Sequence, residues 1–114
     1  MSEPTREAVD QMQGPVVLEF GATWCPHCQG IQSDMASQLA KHPNVQHVRV
    51  EDGKGKPLGR SFRVKLWPTL VFLNNGAVVN QLVRPASDEI AKGFAELTTG
   101  GNPSSETIST NRAE

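Results

Sequence analysis

The sequence predicts an α/β fold: a small mixed β-sheet of about four strands, flanked by helices on both faces. Three observations predict it. Val16-Val17-Leu18-Glu19-Phe20 is a near-continuous apolar run rich in β-branched residues, the pattern of a strand covered on both faces. Residues 26 to 41 repeat apolar positions at helical intervals and Val45 to Glu51 returns as an alternating strand, so these two strands run parallel with a helix crossing between them. Asn74-Asn75-Gly76 separates two further strand-like runs as a hairpin signal, adding an antiparallel pair.

In order along the chain, Ala8, Val9 and Met12 sit at helical spacing after Pro4 and Thr5, and Gly14-Pro15 stops that short helix. The first strand follows, with Glu19 its one charged residue. Gly21-Ala22-Thr23 is a tight connection into a single expected helix from Pro26 to Lys41, carrying Ile31, Met35 and Leu39, and His42-Pro43-Asn44 ends it. His42 there suits the negative end of the helix dipole. In the second strand Val48 and Val50 alternate with His47 and Arg49; His47 either points to solvent, is satisfied within the core, or lies near Glu19. Pro57 to Phe62 allows one or two helical turns, and Leu70 to Leu73 and Ala77 to Leu82 form the hairpin. Ser87, with Asp88 and Glu89, is the expected cap of a last helix bearing Ile90, Phe94 and Leu97, closed by Gly100-Gly101.

The 114 residues, 37% hydrophobic and 20% charged, support one core of modest size. The expected organisation is one domain over residues 1–100 and a disordered tail over 101–114, polar apart from Ile108. Eleven basic against twelve acidic residues give a formal net charge of -1, so no global field draws the protein to nucleic acid or anionic lipid. No apolar run approaches the roughly 18 residues of a membrane span. Met1 to Gly14 carries Glu3, Glu7 and Asp10 and lacks the apolar stretch of an export signal, which makes the cytoplasm the expected location.

The only two cysteines stand in Trp24-Cys25-Pro26-His27-Cys28, at the junction of first strand and helix, with Cys25 at the N-cap. A thiol there faces free backbone N–H groups and the positive end of the dipole, both of which favour thiolate. The dipole alone is worth about 0.3–1 kcal/mol, so direct hydrogen bonds and neighbours must supply the rest. His27 is expected to add a positive charge or a donor beside the Cys25 sulfur, and stabilising the reduced form in this way makes the disulfide a stronger oxidant. Cys25 is therefore the expected attacking thiolate, and Cys28, one turn on and less exposed, the resolving thiol. An inert pair or half of a zinc site are the alternatives; two Cys and three His are few ligands for a closed zinc site. No metal and no bound cofactor are expected beyond the redox-active Cys25–Cys28 pair.

Over roughly Thr5 to Leu97 the chain resembles the thioredoxin superfamily. Trp24-Cys25-Pro26-His27-Cys28 matches its Trp-Cys-x-x-Cys, Trp67-Pro68-Thr69 its cis-proline segment, and Glu19, six residues before Cys25, its buried acidic residue. The resemblance implies a thioredoxin-like fold and thiol–disulfide oxidoreductase activity. It implies that Pro68 is cis, faces the cysteines and keeps competing ligands away from them, and that the backbone of Trp67 pairs with an extended substrate. Trp24 and Pro26 support this substrate-binding surface. Glu19 would accept the Cys28 proton through water, its pKa raised by burial towards neutrality; otherwise it reaches solvent at a strand edge.

Several features depart from the family. Pro26-His27 is the dipeptide of DsbA-type oxidants, without their helical insertion; reducing thioredoxins carry Gly-Pro. Gly21 stands where a second tryptophan is usual, Trp67 where a small aliphatic residue is usual, Arg84 where a glycine is usual, and the extra N-terminal strand is absent. The expected partners are disulfide-containing or dithiol proteins, with thioredoxin reductase or glutathione as electron source, and the expected state is a monomer in a bacterial cytoplasm. Two other functions fit parts of the sequence: a non-catalytic partner-binding or chaperone module using the groove around Trp24, Trp67 and Pro68, and a metal- or cluster-bridged dimer.

Overall fold

A computed structural model of the chain describes residues 4–99. The expected tail, 101–114, and the Gly100-Gly101 stop lie outside the described residues. Among the described residues five helices and four strands follow in the order α1 (Arg6–Asp10), β1 (Pro15–Gly21), α2 (Pro26–Gly30), α3 (Gln32–Lys41), β2 (Gln46–Glu51), α4 (Pro57–Ser61), β3 (Thr69–Asn74), β4 (Ala77–Val83) and α5 (Ser87–Thr99). The sheet order is β2-β1-β3-β4, with β1 parallel to β2 and antiparallel to β3.

Alternation along β1 distributes the two cores. Val16, Leu18 and Phe20 face Val9 of α1 and Leu58 and Phe62 around α4, together with Val50, Val71 and Leu73. Val17 faces the opposite way, onto Ile31 and Met35, Ile90, Phe94 and Leu97 of α5, and Leu70 and Phe72. Each of these side chains is nearly or wholly buried, which removes apolar surface from water on both sides of the sheet. Glu19 has the parity of Val17 and so points under α2 and α3, where the cysteine motif begins.

Local chemistry sets the element ends. Thr5 Oγ1 caps α1 by accepting from the Ala8 N–H at 3.0 Å. The β3–β4 hairpin turns on Asn75 and Gly76, both with positive φ (51° and 83°), which Asn and Gly tolerate best. Asn75 Oδ1 also accepts from the Gly14 N–H at 2.8 Å, tying the hairpin to the start of β1.

Two helix expectations are corrected. Residues 26–41 form two helices that meet at Ile31 (φ -98°, ψ 1°), where the Cys28 carbonyl accepts both the Ile31 N–H at 3.4 Å and the Gln32 side-chain amide at 2.8 Å. Ser87 does not cap α5: its hydroxyl donates to Asp34 Oδ2 at 2.7 Å. The Glu89 carboxylate instead accepts from the Ala86 N–H at 2.8 Å.

Candidate active site

Cys25 is the N-cap of α2 in extended conformation (φ -80°, ψ 120°), and Pro26 occupies the first turn. Proline there fixes a helical φ and removes one N–H that has no intrahelical acceptor, leaving the following amides to face the Cys25 sulfur. The chain into the motif is pinned by the Cys25 N–H to the Ala22 carbonyl at 3.1 Å, and by the Gln29 amide to the Thr23 carbonyl at 2.8 Å.

The thiols are unlinked and almost equally covered, at 5% and 4% exposure, so the expected contrast in exposure is not what separates them. Their surroundings do. Cys25 is held below the usual thiol range, first by the hydrogen bond that the Cys28 S–H donates to it, then by the backbone N–H groups of Cys28 and His27 and the positive charge of Arg84; partial burial opposes these. Cys28 is pushed up to about 11, chiefly by burial, with its bond to Cys25 and the charges of Cys25 and Glu19 acting the same way. The surroundings thus push the two thiols in opposite directions.

His27 contributes its main chain, whereas the expected cation beside the sulfur is the Arg84 guanidinium. The exposed His27 side chain instead lines a groove of about 240 Å³ with Pro26, Ile31, Pro68 and Arg84.

Glu19 is 4% exposed, so it does not reach solvent at a strand edge. Its carboxylate accepts from Gln32 Nε2 and pairs with His47 Nε2, each at 2.7 Å, with Arg49 Nε at 3.9 Å. Burial raises its pKa, as expected, but the His47 and Gln32 hydrogen bonds and the His47 and Arg49 charges together outweigh burial, and Glu19 is held below the ordinary carboxylate range. The expectation of a carboxyl raised towards neutrality is therefore corrected: the partners of Glu19 hold its pKa down. Of the readings open for His47, the structure shows the one beside Glu19. A cavity of about 210 Å³ lined by Glu19, Gly21, Ala22 and Cys28 joins carboxylate to thiol. At Gly21 a Cβ would lie 2.5 Å from the Cys28 sulfur, which accounts for a glycine there.

The Trp67–Pro68 peptide is cis. Trp67 stacks edge-on against Trp24 (centroids 5.6 Å apart, 74°), and its indole N–H donates to Asp52 Oδ2 at 2.9 Å. Trp24 is 68% exposed. The Trp67 carbonyl, part of the backbone expected to pair with a substrate, accepts from Arg84 Nε at 2.9 Å, while the Arg84 N–H donates to the Pro68 carbonyl at 2.8 Å. Arg84 adopts φ 49°, a conformation native to glycine.

All eight candidate residues thus converge: Trp24, Cys25, Pro26, His27, Trp67 and Pro68 around the mouth, Cys28 beneath it, and Glu19 below Cys28. Sequence reasoning missed Gln32, which bridges Glu19 to the Cys28 carbonyl; its position four residues after Cys28 is the signal that points to it. It also missed Arg84 as a site cation. Among the described residues no group of three or more His, Cys, Asp or Glu stands together as a metal site, and no helix is long and apolar enough to cross a membrane.

Comparison with known proteins bears on this geometry. A family model described as Thioredoxin matches residues 2–96. Thioredoxin H5 of Arabidopsis thaliana is 32% identical over 75 residues, covering 66% of this chain and 64% of that protein, so the match spans just under two thirds of that relative. Thioredoxin H3 of the same plant is 30% identical over 84 residues, 74% of this chain and 71% of the relative. The solved structure of reduced thioredoxin 2 from Pseudomonas aeruginosa PAO1 superposes with a TM-score of 0.74 at 45% identity, covering 88% of this chain and 93% of its own. The chain belongs to the thioredoxin family, whose members are oxidoreductases of protein disulfides.

Proposed function

We propose that this chain exchanges its Cys25–Cys28 dithiol with protein disulfides, with Cys25 attacking and Cys28 resolving. The observation that carries the assignment is the split between the two thiols: Cys25 lowered by the Cys28 S–H, two backbone N–H groups and Arg84, and Cys28 raised to about 11 by burial. The Cys25 thiolate attacks one sulfur of the substrate disulfide, forming a mixed disulfide and releasing the other sulfur as a thiolate that takes a proton from solvent. Cys28 then loses its proton and attacks the Cys25 sulfur. The substrate leaves with two thiols, the protein with a disulfide, and two electrons have moved to the substrate.

The Cys28 proton is released at a particular moment. While Cys25 is a thiolate, it accepts the Cys28 S–H bond and its charge opposes a second anion nearby. Once Cys25 is bonded to substrate both effects vanish, and the Cys28 pKa falls. Glu19, across the shared cavity, acts as the acceptor that passes this proton on, with Gln32 and His47 holding its two oxygens. Trp24, Trp67 and Pro68 form the wall on which substrate lies, and His27 lines its floor. Replacing Cys25 by Ser abolishes insulin disulfide reduction; retained turnover overturns the assignment.

The hydrogen-bonded, Arg84-neighboured thiolate favours the reduced form, which supports a more oxidising pair than a Gly-Pro thioredoxin. Reducing equivalents come from thioredoxin reductase or glutathione. The two sulfurs complete the chemistry without a cofactor, and a monomer in a bacterial cytoplasm is the proposed setting. Similarity to a P. aeruginosa thioredoxin supports the bacterial assignment, and a thiol pair that must cycle suits a reducing compartment.

A further inference from the structure

Arg84 is held rigidly where the site opens. Its own N–H is bonded to the Pro68 carbonyl at 2.8 Å and its Nε to the Trp67 carbonyl at 2.9 Å, so both ends of the residue are tied to the cis-proline segment. A guanidinium has five N–H donors and one is used here. Among the described residues no carboxylate lies within ion-pair distance of it, and the residue is exposed at the groove it shares with His27 and Pro68.

The charge along the chain is uneven in the same direction. From Gly53 to Ser87 there are six cations, Lys54, Lys56, Arg60, Arg63, Lys65 and Arg84, and no Asp or Glu. All six are exposed. This segment contains Trp67 and Pro68, with Lys65 two residues before Trp67. The loop carrying Lys54 and Lys56 begins at Asp52, whose carboxylate is bonded to the Trp67 indole. A net charge of -1 therefore conceals a cationic segment that carries Trp67 and Pro68, with the Asp52 carboxylate at its N-terminal edge engaged by the Trp67 indole. Local fields of this kind steer and orient partners even when the whole molecule is nearly neutral.

We propose that the docking groove selects protein disulfides flanked by Asp or Glu, with Arg84 as the specificity-determining residue that receives a carboxylate beside the substrate cysteine. Arg84 already occupies the Trp67 carbonyl that a substrate backbone could use. It replaces that main-chain contact with a fixed cation, so recognition shifts from backbone pairing to side-chain charge. Lys65, two residues before Trp67, adds a second exposed cation to the same segment. The inference rests on the exchange reaction proposed above, since only a substrate held at Cys25 meets Arg84.

The test uses the full reduced chain and two peptides with the same internal disulfide, one flanked by two Glu and one by two Lys. Single-turnover reduction rates are divided by each peptide's rate with dithiothreitol, which removes intrinsic reactivity. The expected acidic-to-basic ratio is about tenfold at low salt, falling towards one in about 0.5 M salt. R84G suits the left-handed backbone and is expected to cut the low-salt ratio at least about threefold. Any change in Cys25 nucleophilicity in R84G affects both peptides alike and cancels in the ratio. A wild-type ratio near one, or a ratio unchanged in R84G, overturns the role of Arg84 while leaving the exchange reaction standing. Reduction of neither peptide overturns both.

Discussion

Glu19 Oε1 lies 2.7 Å from His47 Nε2 beneath Cys28, and this pair, with Gln32 on the other oxygen, holds the pKa of a buried carboxyl below its ordinary range where burial alone would raise it. Desolvation is the largest single effect on Glu19, and removing the imidazole removes a hydrogen bond and a charge that help outweigh it, leaving Gln32 and Arg49 to oppose it. H47L is therefore expected to raise the Glu19 pKa, read from the pH dependence of its side-chain carboxyl carbon shift by NMR. The wild-type midpoint is expected below the ordinary carboxylate value of about 4.3. A midpoint above that value in the wild type contradicts the pairing.

The same shift carries a stability consequence. Glu19 has a folded pKa below its unfolded one, so its contribution is fully present above the unfolded value and is lost as pH falls through the folded value. Urea denaturation between about pH 7 and pH 3 is expected to show wild type losing more stability than E19Q, whose amide does not titrate. Equal losses in the two proteins contradict it.

Glu19 also serves the second chemical step. E19Q keeps the volume and removes the proton acceptor, so the first attack by Cys25 is expected to proceed near its normal rate while resolution slows about 10²-fold. Acid quenching followed by mass spectrometry measures the mixed disulfide, which is expected to accumulate in E19Q and persist in C28S. Unchanged resolution in E19Q removes Glu19 from the proton path.

Much of this arrangement was legible in the sequence, and the division has a physical cause. The β1 run, the Asn75-Gly76 turn, the Cys25 N-cap and Pro26 are local signals, set by hydrophobic period or by φ preference, and each appears where its residues predict. Glu19 was visible as the one acid in an apolar strand. Its protonation state was not, because that depends on His47, 28 residues away on the neighbouring strand, and on Gln32 from the helix above. Strand register decides such contacts: the Glu19–Arg49 and Val17–His47 pairings put His47 and Arg49 on the Glu19 face. Arg84 showed in the sequence only as a residue out of place. Its contact with Trp67 needs the β3–β4 pairing that brings Val83 opposite Thr69.

Gly21 tests how tightly the resolving thiol is packed. A Cβ there would stand 2.5 Å from the Cys28 sulfur, closer than such contacts occur, so G21A forces either β1 or the thiol to shift. The expected cost is about 1–3 kcal/mol of stability by urea denaturation, typical of overpacking in a close-packed interior. A variant as stable as wild type would show that the sulfur moves aside freely.

The poise of the thiol pair follows from the contacts at Cys25. Three hydrogen bonds and the Arg84 charge favour its thiolate, and burial opposes them without prevailing. The rate of Cys25 alkylation by iodoacetamide is therefore expected to rise with a midpoint below the ordinary thiol value of about 8.5, while Cys28, raised to about 11 as long as Cys25 is free, is expected to react only after Cys25. Stabilising a thiolate that exists only in the reduced form also moves the equilibrium of the disulfide. Equilibration with glutathione is expected to give a potential less negative than the roughly -270 mV of thioredoxin. A value at or below that figure, with Cys25 alkylating at an ordinary pH, would show that the hydrogen bonds seen at the sulfur do not favour its charge.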